Sequence, residues 1–117
     1  MNLEDAIAAH AEWKMKLRRA IQHKERLDVA GLSVDNKCPL GQWLHGEAKV
    51  RYSELEAYRA CVAKHAEFHR CAGLVASAIN AGNYTDAEGM LANGTPYADA
   101  SIAATVAIMG LRKQAGI

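Results

Sequence analysis

The sequence predicts an all-α fold: a small antiparallel four-helix-type bundle with a short helix after a cysteine-bearing loop. Alanine, the strongest helix former, occurs 23 times in 117 residues, whereas proline occurs only twice. Apolar residues recur at spacings of three and four over long stretches, as they do on one face of a helix. The connections between these stretches are modest in length, which favours a bundle, and we expect residues 1–117 to form a single domain.

The first long helix is predicted from Leu3 to Leu27. Its apolar stripe consists of Leu3, Ala6, Ile7, His10, Trp13, Leu17, Ala20, Ile21, Lys24 and Leu27. Gly31 and the polar residues after it interrupt the pattern, so we expect a loop that ends at Cys38. Pro39 suits the first turn of a helix, and the short helix that it begins should end near Gly46.

A second long helix is predicted from about Arg51 to the turn at residues 81–83. Its stripe includes Leu55, Tyr58, Cys61, His65, Phe68, His69, Ala72, Val75, Ala76 and Ile79. A last helical region should begin near Tyr84 and end before Gly116. Residues 93–96 interrupt it, because threonine caps a helix well and proline fits the first turn of a new one.

Charge and composition exclude several classes of function. Lysine and arginine total 14 against 13 acidic residues, so the basic footprint of a nucleic-acid-binding protein is missing. The longest apolar stretch, Ile102 to Met109, is too short to span a bilayer, and the N-terminus does not resemble a signal peptide. We therefore expect a cytoplasmic domain without membrane insertion. Three cysteines in such a chain favour metal binding or thiol chemistry over disulfides.

Three of the five histidines, His10, His65 and His69, lie on the apolar stripes, where a polar ring needs a partner. His65 and His69 are four residues apart and therefore share one helical face. Together with His10 from a facing helix and Cys38 from the loop, they make up a His3Cys set that suits a tetrahedral Zn²⁺ site. Taken singly, each histidine could instead be a hydrogen-bonded core residue, and Cys38 a small buried hydrophobe.

The other histidines and cysteines fit different roles. We predict His23 and His45 to be solvated and outside the site, because they fall off the stripes or at a helix end. Cys61 lies one turn before the paired histidines and is an alternative ligand, but a small packed core residue is the simpler interpretation. Cys71 should point elsewhere.

Metalloenzyme interpretations fit less well. The zinc-protease motif has a glutamate directly after its first histidine, whereas Glu67 is two residues after His65, about 200° around the helix. A di-iron bundle needs several inward carboxylates, which the stripes lack. Four protein ligands also leave no position for a catalytic water. We therefore expect no enzymatic activity, with a metal-dependent hydrolase as the least favoured alternative.

Three motifs resemble those of the chemoreceptor zinc-binding domain family, a bacterial cytoplasmic sensor module. They read His10-Ala-Glu-Trp13, Cys38-Pro-Leu40-Gly41-Gln-Trp43 and His65-Ala-Glu-Phe68-His69, with gaps of 24 and 21 residues between them. The segment Gly94 to Tyr97 is also similar to the start of the family's final helix. The resemblance covers essentially the whole chain.

The resemblance implies a homodimeric bundle that holds one Zn²⁺ per protomer through His10, Cys38, His65 and His69. It implies a regulatory role, in which zinc availability or thiol oxidation, for example by hypochlorous acid, is reported to a signalling output such as chemotaxis or cyclic-di-GMP synthesis. It also suggests that Asp35 contacts a ligand side chain. The alternative is a structural, zinc-stabilised homo-oligomerisation module without a sensing role.

Overall fold

The computed structural model describes residues 1–117 as eight helices without strands, so the predicted all-α class is confirmed. The helices are α1 (Leu3–Ala11), α2 (Trp13–His23), α3 (Val29–Ser33), α4 (Pro39–His45), α5 (Glu47–Tyr52), α6 (Glu56–Asn80), α7 (Tyr84–Met90) and α8 (Pro96–Ala115). None of them is long and apolar enough to cross a membrane.

The first predicted helix divides at Glu12 into α1 and α2. The hydrogen-bond ladder is only locally disturbed, because the Glu12 amide donates to Ala8 at 3.0 Å and the Glu12 carbonyl accepts from Lys16 at 3.1 Å. Just before this point, His10 Nδ1 lies 2.7 Å from the carbonyl oxygen of Ala6, one turn back. Side chains that bond into the ladder in this way accompany helix bends.

The prediction that this helix continues to Leu27 is wrong. Lys24 has a φ of 54° and ends α2 in the left-handed conformation, and the Glu25 amide closes the turn onto Ala20. Leu27 nevertheless packs against the core, and Asn80 bonds both its amide and its carbonyl at 2.8 Å. The apolar spacing therefore continues to Leu27 although the helix ends at His23, because the chain turns back onto the same core.

Two short helices lie where loops are predicted. Asp28 caps α3 by accepting from the Gly31 amide at 3.1 Å, and α5 follows α4 directly after Gly46. With five and six residues they are too short for periodicity to reveal. The predicted start of the second long helix near Arg51 is wrong: α6 begins at Glu56, because Arg51 belongs to α5 and a turn separates the two helices. The end of α6 at Asn80 agrees with the prediction, as does the cap of α8, where Thr95 accepts from the Ala98 amide at 3.2 Å.

The buried apolar residues form two clusters. The larger cluster comprises Leu17, Ala20, Leu32, Phe68, Cys71, Ala72, Val75, Ala76, Ile79, Ala87, Leu91, Tyr97, Ala100 and Ala104. The smaller cluster comprises Leu3, Ala6, Leu40, Leu44, Ala48, Tyr58, Cys61, Ile108 and Leu111. Helices α6 and α8 contribute to both clusters, α2, α3 and α7 serve the larger one, and α1, α4 and α5 serve the smaller one.

Two of the three buried histidines, His10 and His65, lie along the chain at the boundary between the clusters. His65 stands between Cys61 of the smaller cluster and Phe68 of the larger one. In the same way, His10 stands between Ala6 of the smaller cluster and Leu17 of the larger one. Polar side chains therefore occupy the place where the two apolar clusters meet.

Candidate metal centre

Four potential metal ligands converge in the interior: His10, Cys38, His65 and His69, termed here the His3Cys cluster. One ligand atom from each residue lies within 4.8 Å of the others. His65 Nε2 is 3.0 Å from the Nε2 atoms of both His10 and His69. Cys38 Sγ lies 3.8, 3.3 and 3.6 Å from the Nε2 atoms of His10, His65 and His69, in that order.

Three elements deliver these side chains. Helix α6 carries His65 and His69 on successive turns, so their rings stand with centroids 4.5 Å apart. Helix α1 supplies His10 from its last turn, and its ring centroid is 4.9 Å from that of His65. Cys38 is the N-cap of α4, where its Sγ accepts from the Gly41 amide at 3.4 Å.

The donor set and its spacing fit a zinc ion. With Zn–N near 2.05 Å and Zn–S near 2.3 Å, the edges of a tetrahedral His3Cys site measure roughly 3.3 to 3.6 Å. The contacts of Cys38 Sγ, from 3.3 to 3.8 Å, lie close to this range, and the two short Nε2 pairs at 3.0 Å are slightly tighter. Two imidazoles of four-residue spacing, a third imidazole and a thiolate are a mixed nitrogen and sulfur set that zinc favours.

Backbone carbonyls orient two of the imidazoles. His10 Nδ1–H donates to the Ala6 carbonyl at 2.7 Å, and His69 Nδ1–H donates to the Leu32 carbonyl at 2.9 Å. In both rings the lone pair of a neutral imidazole is then on Nε2, the atom that faces the cluster. His65 Nδ1 is buried without a hydrogen-bond partner. A cation at the centre of the cluster can accept the Nε2 lone pairs that the backbone carbonyls fix on His10 and His69.

Burial keeps all three histidines in the neutral form that a metal requires. Desolvation is the largest cause that lowers the pKa of His10, His65 and His69, and it brings the pKa of His65 to about 3. For His65, this pKa of about 3 also includes the effect of the neighbouring His69 and His10, which lower it in the same direction. Neutral imidazoles therefore line the cluster across the physiological pH range.

Cys38 differs from the histidines in both burial and charge. It is half-buried, and desolvation raises the pKa of its thiol against the opposing effect of the backbone N–H groups. Without a metal, the sulfur is therefore protonated near neutral pH; a bound Zn²⁺ holds it as the thiolate. Surface grooves of about 530 and 400 Å³ both reach Cys38, with Trp13 in the wall of each.

Gly41 and Phe68 pack around the cluster. A Cβ at Gly41 would collide with the carbonyl oxygen of Asp35 and lie 3.2 Å from His65 Cε1, so only glycine fits under this loop. The Phe68 ring meets His10 and His69 edge to face, with centroids 5.3 and 5.4 Å away. Gly41 therefore lets α4 approach the His65 ring closely, and Phe68 packs against the rings of His10 and His69.

The remaining candidates lie outside the cluster. Cys61 is fully buried in the smaller cluster, where desolvation raises its thiol pKa to about 11, and Cys71 is buried in the larger one. His23 is exposed. The carboxylate of Asp35 contacts no ligand side chain through a hydrogen bond; it accepts from exposed His45 at 2.8 Å, so the expected contact of Asp35 with a ligand is corrected.

Sequence reasoning missed the two carbonyls that orient the imidazoles. The Ala6 carbonyl is four residues before His10, so the helical period already places it beneath that ring. The Leu32 carbonyl comes from α3, a helix without a sequence signature, and no residue type marks it.

A comparison with protein-family models matches residues 10–76 to the chemoreceptor zinc-binding domain. The matched segment is more than half of the chain and contains the whole His3Cys cluster. The chain belongs to the chemoreceptor zinc-binding domain family. The resemblance stated from its motifs is thereby confirmed over residues 10–76, which is less than the whole chain that the sequence analysis assigned to it.

Zn²⁺ is the cofactor of this chemoreceptor zinc-binding domain, since the family binds zinc and the chain holds a His3Cys group placed to receive a metal ion. No curated protein and no solved structure matches the chain.

Proposed function

We propose that this domain is a zinc-dependent regulatory module in which His10, Cys38, His65 and His69 bind one Zn²⁺ and a change at Cys38 is passed to a signalling output. The observation that carries the proposal is the convergence of four ligand atoms within 4.8 Å, with neutral imidazoles already oriented toward the centre. A closed set of four protein ligands favours binding and regulation over catalysis.

The four ligands differ in how firmly the protein holds them. His65 and His69 belong to the 25-residue helix α6 and are buried, as is His10. Cys38 is half-buried and joins a loop to a helix of seven residues. The thiolate is therefore the ligand that solvent reaches most readily and whose backbone moves at the lowest cost.

Oxidation at Cys38 supplies one stimulus. A zinc-bound thiolate remains nucleophilic, and hypochlorous acid converts it to a sulfenic acid while chloride leaves. The oxidised sulfur is a poorer ligand, so one of four bonds to the metal weakens. Release of the Cys38 loop and α4 then changes the surface without unfolding α6.

Zinc availability is the related stimulus. A purely structural zinc site contributes on the order of 10 kcal/mol or more to folding and stays filled, whereas a sensor must empty and refill in the cell. In that case the same loop and helix respond to zinc loss. A structural oligomerisation module predicts instead that neither oxidant nor zinc level alters the assembly.

The wider architecture is part of the same proposal. Helices α6 and α8 both pass through the two apolar clusters, in opposite order along the chain, which favours an antiparallel arrangement. A four-membered bundle follows if α1 with α2 is one member and the short helices α3 to α5 form the return member. Residues beyond the family match contribute to both clusters, which supports one domain over residues 1–117.

We also propose a homodimer in the bacterial cytoplasm, with an output such as a chemotaxis receptor or a cyclic-di-GMP synthase. Exposed apolar side chains on α8, at Ile102, Val106 and Met109, offer area for a second chain. Sedimentation of the zinc-loaded protein over a range of concentrations measures the assembly.

Metal content tests the binding site. Protein purified without added metal is analysed by inductively coupled plasma mass spectrometry, together with Cys38→Ala and the matched buried control Cys61→Ala. We expect one zinc per chain in the wild type and in Cys61→Ala, with loss or weaker retention in Cys38→Ala. A wild-type protein that takes up no zinc when it is supplied refutes the site.

Hydrogen exchange tests the regulatory role. After treatment with stoichiometric hypochlorous acid, we expect faster exchange over residues 30–48 and little change in the centre of α6. Cys61→Ala should respond as the wild type does, and Cys38→Ala should not respond. Equal exchange in reduced and oxidised wild-type protein contradicts the redox mechanism and leaves zinc availability as the stimulus to test.

A further inference from the structure

A hydrogen bond between two side chains at the surface ties the Cys38 loop to the end of α4. Asp35 lies in the loop, three residues before Cys38, and His45 is the last residue of α4. His45 Nε2–H donates to Asp35 Oδ2 at 2.8 Å. The two side chains are 42% and 23% exposed, for His45 and Asp35, so the pair lies at the surface above the cluster.

The backbone of the same loop rests directly on α4. The Asp35 carbonyl oxygen occupies the space that a Cβ at Gly41 would need, and the Cys38 sulfur accepts from the Gly41 amide at 3.4 Å. Loop and helix are therefore in contact at three points: the Asp35–His45 pair, the Asp35 carbonyl over Gly41, and the Cys38 cap. Among these, only the Asp35–His45 hydrogen bond depends on side chains outside the His3Cys cluster.

We propose that Asp35 and His45 form a clasp that positions the Cys38 sulfur for the metal and slows the release of zinc. Neither residue is a ligand; both act through Cys38. This proposal rests on the proposed binding site, because the clasp has a role only if Cys38 binds the metal. It makes residues 35–45 a single unit that moves together when the thiolate leaves.

The expected effect is modest. Exposed polar side-chain pairs contribute little to stability, so opening the clasp should speed zinc dissociation by about two- to fivefold. The loop loses its only side-chain tether to the end of α4, and Cys38 then spends more time away from the metal. Overall folding should persist, because both side chains lie outside the apolar clusters.

The test measures zinc dissociation into excess chelator by stopped flow for the full chain. His45→Phe keeps an aromatic ring and removes the donor, whereas His45→Gln restores an N–H at a similar reach. Glu47→Ala is the matched control, because it breaks an exposed ion pair with Arg51 at 3.1 Å within α5 and leaves the loop untouched. Absorption of the thiolate-to-cobalt band in Co²⁺-loaded protein reports the Cys38 bond directly.

We expect faster release and a weaker or shifted thiolate-to-cobalt band in His45→Phe, with recovery in His45→Gln and no change in Glu47→Ala. In a Cys38→Ser background, His45→Phe should add nothing, because the clasp acts only through the sulfur. An unchanged rate in His45→Phe overturns the clasp, as does a further acceleration in the Cys38→Ser background. If Cys38→Ser itself releases zinc at the wild-type rate, both the binding site and the clasp are refuted.

Discussion

The larger and smaller clusters differ in how much apolar material holds them together. The larger has 14 buried residues, including Phe68 and Tyr97, whereas the smaller has nine. Both clusters include short helices, α4 and α5 in the smaller one and α3 and α7 in the larger one, so the difference between them is the number of buried apolar residues. Two helices of the smaller cluster, α1 and α4, also bring His10 and Cys38 to the metal centre.

In the proposed coordination, the metal bonds link the cluster with fewer buried residues to α6, the helix that both clusters share. The larger cluster needs no such link, because its own side chains bury the faces of α2, α7 and α8. A cofactor that binds only the folded state stabilises it, and two of the four candidate ligands, His10 and Cys38, come from helices of the smaller cluster. This asymmetry suits a switch, since metal loss can loosen one region while the rest of the fold remains.

Removal of zinc should have the largest effect. Because the ligands tether α1 and α4 to α6, we expect exchange of their amide hydrogens to speed up by about tenfold or more, with a smaller change in α2 and α7. Hydrogen exchange by mass spectrometry, before and after chelation, measures this difference, and zinc addition should reverse it. An equal increase in the exchange rates of α1, α4, α2 and α7 would show that the two clusters do not respond separately.

Matched core substitutions sharpen the comparison. Leu44 in the smaller cluster and Leu91 in the larger cluster are both fully buried. Replacement of either by alanine should lower the free energy of unfolding by about 2 to 5 kcal/mol. Only Leu44→Ala should also speed zinc release, since α4 carries the cysteine. Urea unfolding and chelator competition measure the two effects, and faster release in Leu91→Ala argues against the separation.

Acid should destabilise the metal-free protein through protonation of the unfolded chain at His65, which lies where the two clusters meet. Burial depresses the pKa of His65 from 6.5 to about 3, so the unfolded chain binds a proton that the folded chain excludes. Stability is then complete above pH 6.5 and declines as the pH falls toward 3, with a loss of about 2 kcal/mol at pH 5 from His65 alone. Urea unfolding of the metal-free protein from pH 7.5 to 4.5 measures the slope, and His65→Gln should flatten it.

The smallest expected effect is a change in the free energy of unfolding when two buried tyrosines are replaced. Tyr58 donates its hydroxyl to the Leu44 carbonyl at 2.6 Å in the smaller cluster, whereas the hydroxyl of Tyr97 in the larger cluster has no partner. Tyr58→Phe should lower the free energy of unfolding by about 1 kcal/mol, and Tyr97→Phe should leave it unchanged or raise it. Thermal unfolding measures both, and a greater loss in Tyr97→Phe would reverse the assignment.

The sequence predicts the parts of the site that follow from helical geometry. The four-residue spacing of His65 and His69, the place of His10 on an apolar stripe, and Pro39 after Cys38 all carry physical information about position. The structure brings the four candidate ligands His10, Cys38, His65 and His69 together.

The unpredicted features depend on contacts between distant segments. Helix α3 is five residues long, yet its Leu32 carbonyl orients His69 across 37 positions of sequence. The pairing of Asp35 with His45 likewise arises from the fold of the loop over Gly41. Hydrophobic periodicity describes one element at a time and contains no signal for such contacts.

The sulfur of Cys38 is at once a candidate metal ligand and the acceptor that caps α4 through the Gly41 amide. A chemical change at this one atom therefore alters the start of a helix as well as the coordination. Serine at this position would keep a cap and lose the soft ligand, whereas alanine would lose both. Comparison of the two separates how much of the signal comes from the metal and how much from helix nucleation.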